Sequence, residues 1–168
     1  HDNDVACMLA EMEDFTRAIE TAVDFANDDQ ETLIVITADH ETGGFSIGAN
    51  GEYGWYIEKI ADIKASNKVI ATTMQETGEV SQTWQRLTQL PLSVSDEALL
   101  NTAFHTGHKT LTTAITTLVN KLTGSGWTSG GHTGTDVQIF SYGPGSKAFV
   151  GGMDNTDIAK KLIQFSIQ

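Results

Sequence analysis

The sequence of 168 residues has one cysteine, Cys7, and two arginines, Arg17 and Arg86. A single thiol excludes a disulfide framework or a cysteine-type zinc finger within the chain. Basic residues are scarce: Lys+Arg number 10 against 22 Asp+Glu, for a net charge of −12. That balance excludes a nucleic-acid binder that works by neutralising phosphates, and it disfavours docking to anionic lipid. No apolar run reaches the ~18 residues that a membrane span needs. Neither a signal-peptide pattern, an internal repeat nor a low-complexity tract is visible. What remains is 39% apolar residues, enough for a true core in one domain of ordinary size or in a large piece of a bigger one. The chain starts with His1 rather than Met, and helical periodicity begins almost at once. It reads as a chain that begins in the middle of an element.

Val5, Leu9, Met12, Phe15, Ile19, Val23 and Ala26 recur at steps of three and four, which predicts one long helix capped by Asp2, Asn3 and Asp4. Thr32–Thr37 is a short, β-branched apolar run, the pattern of a strand buried on both faces in an α/β sheet. The loop Ala38-Asp39-His40-Glu41-Thr42-Gly43-Gly44 follows at its C-terminal end, where ligands bind in open α/β sheets. A short strand is expected at Phe45–Ile47. From about residue 50 to 126 the texture becomes that of a mostly helical insertion, with helices at Ile57–Ala65 and Lys68–Gln75, one capped by Ser95, and one from His108 ended by Gly124. Sheet-like texture returns at Trp127, followed by the loop Gly130-Gly131-His132-Thr133-Gly134 and a strand at Val137–Tyr142. Asp154 to Asp157 cap a last helix that buries Ile158, Leu162, Ile163 and Phe165. Alternation of strands and helices around an insertion predicts an α/β fold.

Four residues carry most of the chemical interest. Asp39-His40 offers one oxygen and one nitrogen ligand, a set that suits tetrahedral zinc, although the dipeptide alone favours Asp39 capping a turn and His40 bonding locally. His132 sits among glycines that let backbone approach a ligand closely, or it is an ordinary surface histidine. His1 precedes a capped helix, or is a frayed end. His105 and His108 are spaced to chelate from one helical turn, but no acidic residue accompanies them and they read as solvated. Cys7 lies off the apolar stripe and reads as a structural thiol. Tyr53, Trp55, Tyr56 and Trp84 read as packing for the insertion or a subunit contact.

Taken together, three blocks resemble the alkaline phosphatases. Thr37–Gly44 resembles the family's zinc loop with its preceding strand. Gly131–Gly134, Phe140–Gly145 and Met153–Ile158 resemble its C-terminal block, and His1-Asp2-Asn3-Asp4 resembles its remaining zinc-histidine motif. The match covers roughly residues 1–48 and 127–168, in family order. The resemblance implies an α/β/α sheet fold, with residues 1–168 as the C-terminal part of one phosphatase domain and 50–126 as a variable insertion. It implies a phosphate monoester hydrolase with two zinc ions and one magnesium. Asp39 and His40 would then be ligands of the zinc that activates a serine, and His1 and His132 ligands of the zinc that stabilises the leaving oxygen. Two zinc ions would also reverse the field of a −12 chain toward a phosphate dianion.

The departures define the expectation further. No Asp-Ser nucleophile dipeptide is present, and the family's carboxylate four residues before the zinc histidine would precede His1. The magnesium ligands and the phosphate-holding arginine are also missing, so the chain alone is expected to be inactive. The resemblance further implies export to the periplasm or beyond, and a homodimer or a complementing N-terminal segment as partner. Three alternatives stand beside it: a non-catalytic interaction module working through the 50–126 segment, a related metal-dependent phosphodiesterase or sulfatase, and a copper site built on the α-amine and imidazole of His1.

Overall fold

The structure is a computed structural model and describes residues 1–166. In chain order the elements are α1 (Val5–Asp29), β1 (Ile34–Thr37), β2 (Phe45–Ile47), α2 (Ile57–Ala61), α3 (Asn67–Thr77), α4 (Val80–Thr88), α5 (Val94–Thr106), α6 (His108–Thr123), β3 (Ser125–Trp127), β4 (Ile139–Tyr142), a 3-10 turn at Ser146–Phe149 and α7 (Asn155–Ser166). They belong to two units. One comprises His1–Glu11 and Thr42–Thr133; the other comprises Met12–Glu41 and the chain from Gly134 onward. Mixed helices and small sheets make this an α/β fold.

The first unit is built on helix packing. Asp4 starts α1: its carboxylate accepts from the Cys7 amide at 3.1 Å and its carbonyl from the Met8 amide at 2.8 Å. The second carboxylate oxygen accepts from the Asn67 amide at 2.5 Å, so one buried side chain caps α1 and ties it to the first residue of α3. Ile70 and Met74 of α3, Trp84 of α4, Leu100 of α5, and Leu111 and Ile115 of α6 are fully buried in one cluster. Burial of each such side chain is worth about 1.5–3 kcal/mol. The Trp84 indole N–H donates to the Leu90 carbonyl at 3.0 Å, so its polar atom is satisfied inside the core. Strands β2 and β3 pair antiparallel beside this cluster, with Phe45 opposite Trp127 and Ile47 opposite Ser125.

Several elements differ from expectation. Helix α4 was not anticipated; Val80, Trp84 and Leu87 at steps of four and three form its inner face, hidden in the sequence by intervening Gln and Thr. Helix α2 stops at Ala61 rather than continuing to residue 65, because the Lys64 amide turns to donate to the Leu87 carbonyl at 2.8 Å. The cap of α5 is Ser93, not Ser95: its hydroxyl oxygen accepts from the Asp96 amide at 3.1 Å. Gly124 ends α6 at φ 70, as the sequence indicated.

In the second unit, β1 and β4 form a two-stranded antiparallel sheet, with Ile34 opposite Tyr142 and Thr37 opposite Ile139. The expectation of a strand buried on both faces is not met: β1 is half-buried and Thr37 is exposed. Strand β4 begins at Ile139, two residues later than expected. Asp154 caps α7, accepting from the Thr156 amide at 2.9 Å, as anticipated. The buried side foreseen for α7 is not buried, since Leu162, Ile163 and Phe165 are 41%, 60% and 39% exposed. Phe165 packs on Phe149 at a centroid distance of 6.1 Å, but Ala26 and Phe149 are the only fully buried apolar side chains among the described residues of this unit. Periodicity placed the apolar side of α7 correctly; little in its own unit covers it.

Candidate metal centre

In the first unit two histidines far apart in sequence meet. The Nε2 atoms of His1 and His132 lie 2.9 Å apart, with the ring planes at 82°. Hydrogen bonds between segments distant in sequence hold the two backbones in place. Asn3 adopts a left-handed conformation (φ 55) just before α1 and donates from its amide to the Ser129 carbonyl at 2.8 Å, clamping the segment after His1 to the loop before His132. That loop is laced to the segment leading into β2. The Thr128, Ser129 and Thr133 amides donate to the carbonyls of Gly44, Gly43 and Thr42 at 3.2, 3.0 and 2.8 Å. Two glycines make the lacing possible. A Cβ on Gly43 would overlap the Asn3 amide group. Gly44 has φ +69, and a Cβ there would sit 2.9 Å from Thr128 and Thr133 side-chain atoms. The glycines that flank His132, Gly130, Gly131 and Gly134, face open space and impose no such requirement. Asn3, Gly43 and Gly44 therefore do the positioning, a role the sequence signalled only through the Gly-Gly pair.

In the second unit Asp39 and His40 leave the end of β1. On a strand neighbouring side chains diverge, but here the chain has left the strand and both converge. Asp39 Oδ2 lies 3.4 Å from His40 Nε2, while Asp39 Oδ1 accepts from the His40 backbone amide at 3.0 Å. His40 Nδ1 lies 2.9 Å from the Glu41 carbonyl oxygen. A carbonyl only accepts, so Nδ1 is the donor, and Nε2 is the ring atom that a metal would use. Backbone partners of this kind fix the tautomer of metal-ligating histidines. The Glu41 carbonyl is a participant that no residue-type argument pointed to.

The donor sets fit a zinc ion. Zn–N and Zn–O bonds of about 2.0–2.2 Å at the tetrahedral angle put two ligand atoms about 3.3 Å apart. The pairs at 2.9 and 3.4 Å bracket that spacing. The Asp39 carboxylate and His40 Nε2, 3.4 Å apart, could both reach one cation placed between them. A copper chelate closed by the His1 α-amine would use Nδ1 of that ring, whereas Nε2 is the atom directed at His132.

The remaining candidates lie elsewhere. His105 sits in the last turn of α5 and His108 opens α6 beyond Gly107, so they do not share a helical turn. His108 Nε2 lies 3.0 Å from the Thr72 hydroxyl, and His105 packs edge-on to Phe104. Cys7 is half-buried; burial, then the Asp4 carboxylate, pushes its thiol above the ordinary range, which disfavours the thiolate a metal needs.

The alkaline phosphatase family model matches residues 1–167. The chain is 40% identical to alkaline phosphatase 3 of Bacillus subtilis over 100% of its own length and 38% of that protein's. It is 26% identical to the repressible alkaline phosphatase of Saccharomyces cerevisiae, over 98% of this chain and 34% of that one. Its structure is similar to that of a cold-active alkaline phosphatase from the psychrophile Shewanella sp., with a TM-score of 0.91 and 38% identity over 98% of this chain and 41% of that one. The chain thus spans about two-fifths of the length of its bacterial relatives. With 40% identity along its whole length and the family's pattern running from His1 to residue 167, the chain belongs to the alkaline phosphatase family.

Proposed function

We propose that this chain is the C-terminal part of a phosphate monoester hydrolase and supplies two protein ligands to each of two zinc ions: Asp39 and His40 to one, His1 and His132 to the other. The support is the tautomer of His40. Its Nδ1 donates to the Glu41 carbonyl, which turns Nε2 to the Asp39 carboxylate as the ring atom that would ligate the ion. When bound, the zinc ions would supply Lewis-acid charge to phosphoryl oxygens and lower the pKa of water. The chain's own contribution is orientation. Asn3, Gly43 and Gly44 hold the His1 and His132 backbones in register, and the Glu41 carbonyl fixes the His40 ring.

The serine nucleophile, a third ligand for each zinc and the magnesium ligands belong to an upstream segment, so this chain alone turns over no substrate. The exposed apolar surface of the second unit suits packing by that segment. The whole enzyme is exported and dimeric on this reading, with phosphate monoesters as substrates.

Zinc titration of the metal-stripped chain tests the assignment. Two zinc ions should bind per chain. His132→Ala should remove one, Asp39→Ala the other, and the double variant both, with helical circular dichroism unchanged. Addition of the upstream segment of alkaline phosphatase 3 should bring p-nitrophenyl phosphate hydrolysis. A zinc stoichiometry indifferent to all these substitutions would overturn the proposal.

A further inference from the structure

Within the first unit lies a cavity of about 350 Å³ whose lining includes chain neighbours of both histidines. At about 30 Å³ per water-sized group it holds roughly a dozen heavy atoms, the size of a small phosphorylated alcohol without its phosphate. Its walls include Asp2 and Asn3, which follow His1 directly, and Gly130, two residues before His132. It therefore opens alongside the backbone that carries both imidazoles.

The lining also carries cations, in an acidic protein. Lys68 and Lys109 both line the cavity, two of the ten Lys and Arg in a chain of net charge −12. His108 lines it too, held at Nε2 by the Thr72 hydroxyl. Asp2 is the lining carboxylate, and Lys68 pairs with it at 2.6 Å. Lys109 has no ion pair among the described residues. The lining hydroxyls of Thr112 and Thr116 donate to carbonyls of their own helix at 2.9 and 3.0 Å. Thr116 also accepts from the Asn67 side-chain amide at 3.1 Å, which leaves Thr112 as an acceptor for an O–H group of the bound alcohol.

We propose that this cavity is the leaving-group subsite, and that it favours phosphate monoesters whose alcohol carries a second anionic group, with Lys109 as the group that reads it. The proposal rests on the phosphatase reading, in which His1 and His132 serve the leaving oxygen. An ester oxygen held there directs its carbon skeleton into the adjoining space, where Lys109 meets an anion. A neutral alcohol of the same size leaves that lysine to water.

The test uses the metal-free full chain, backbone amide NMR and two probes: glycerate as the anionic alcohol and glycerol as the neutral one. Glycerate should shift the amides of Lys109, Thr112 and Gly130, and glycerol should not. Lys109→Gln should weaken glycerate about fivefold, the scale of an exposed ion pair, and Lys109→Glu should abolish it. Equal response to both probes, or glycerate binding indifferent to Lys109, would overturn the proposal. Zinc titration of the same samples separates the two readings. Loss of zinc binding at the histidine pair refutes the phosphatase assignment whatever glycerate does, whereas zinc binding without glycerate discrimination refutes the subsite alone.

Discussion

The two units of the chain solve the burial problem differently. Of the sixteen fully buried apolar side chains among the described residues, all but Ala26 and Phe149 belong to the helical cluster of the first unit. The second unit instead leaves Phe25, Phe140, Val150 and Ile163 more than half exposed. The first unit carries its own core, while the second is a set of correctly formed elements whose apolar sides face outward. Each nonetheless holds one pair of the proposed ligands, and the pairs are fixed differently. His1 and His132 are placed by long-range backbone lacing, His40 by the carbonyl of its own neighbour.

The largest expected effect that would break this contrast comes from the core. Leu111→Ala, at a fully buried site, should destabilise the first unit by about 2–5 kcal/mol in denaturant unfolding. Ile163→Ala on α7 should change stability by only about 0.5 kcal/mol, because that side chain is 60% exposed. Comparable losses for the two substitutions would mean that the second unit has a core of its own. Next comes Gly44→Ala. A Cβ at φ +69 against Thr128 and Thr133 should cost about 1–3 kcal/mol. It should also weaken zinc at the His1–His132 pair more than at Asp39–His40, as read by titration. Equal weakening would show that the lacing around Gly44 does not position the histidines.

Smaller effects sharpen the picture of the first unit. Ser93→Ala removes the cap of α5 and should cost about 1 kcal/mol. Asp96 beside it has its carboxyl held below the usual range, first by the Ser93 hydroxyl and then by Lys121. A depressed folded-state pKa gives stability that is present above the unfolded value and lost as pH falls through the folded one. Asp96→Asn should therefore flatten the acid limb of the unfolding curve. An unaltered acid limb would contradict that role for the Ser93–Asp96–Lys121 contacts.

How much of this was legible in the sequence depended on what each signal encodes. Apolar periodicity gave α1, α6 and α7 because each keeps one face apolar across several turns. It missed α4, where Val80, Trp84 and Leu87 are diluted by Thr and Gln and where Thr83 and Thr88 are themselves buried. It misjudged β1 and α7, because a pattern says which side is apolar and not whether anything covers it. No spacing rule joins His1 to His132 across 131 positions; only the family motif suggested that pair. The roles of Asn3 and the Glu41 carbonyl were not legible, since both act through backbone geometry that appears only once the loops are folded.

The central claim is that two local ligand pairs hold zinc while the other histidines do not. Side-chain ¹⁵N NMR of the histidines, recorded without and with zinc, tests it most directly. The metal-free chain should show His40 protonated at Nδ1, and zinc should move the Nε2 signals of His1, His40 and His132 while those of His105 and His108 stay in place. An Nε2-protonated His40, or zinc shifts confined to His105 and His108, would contradict the account.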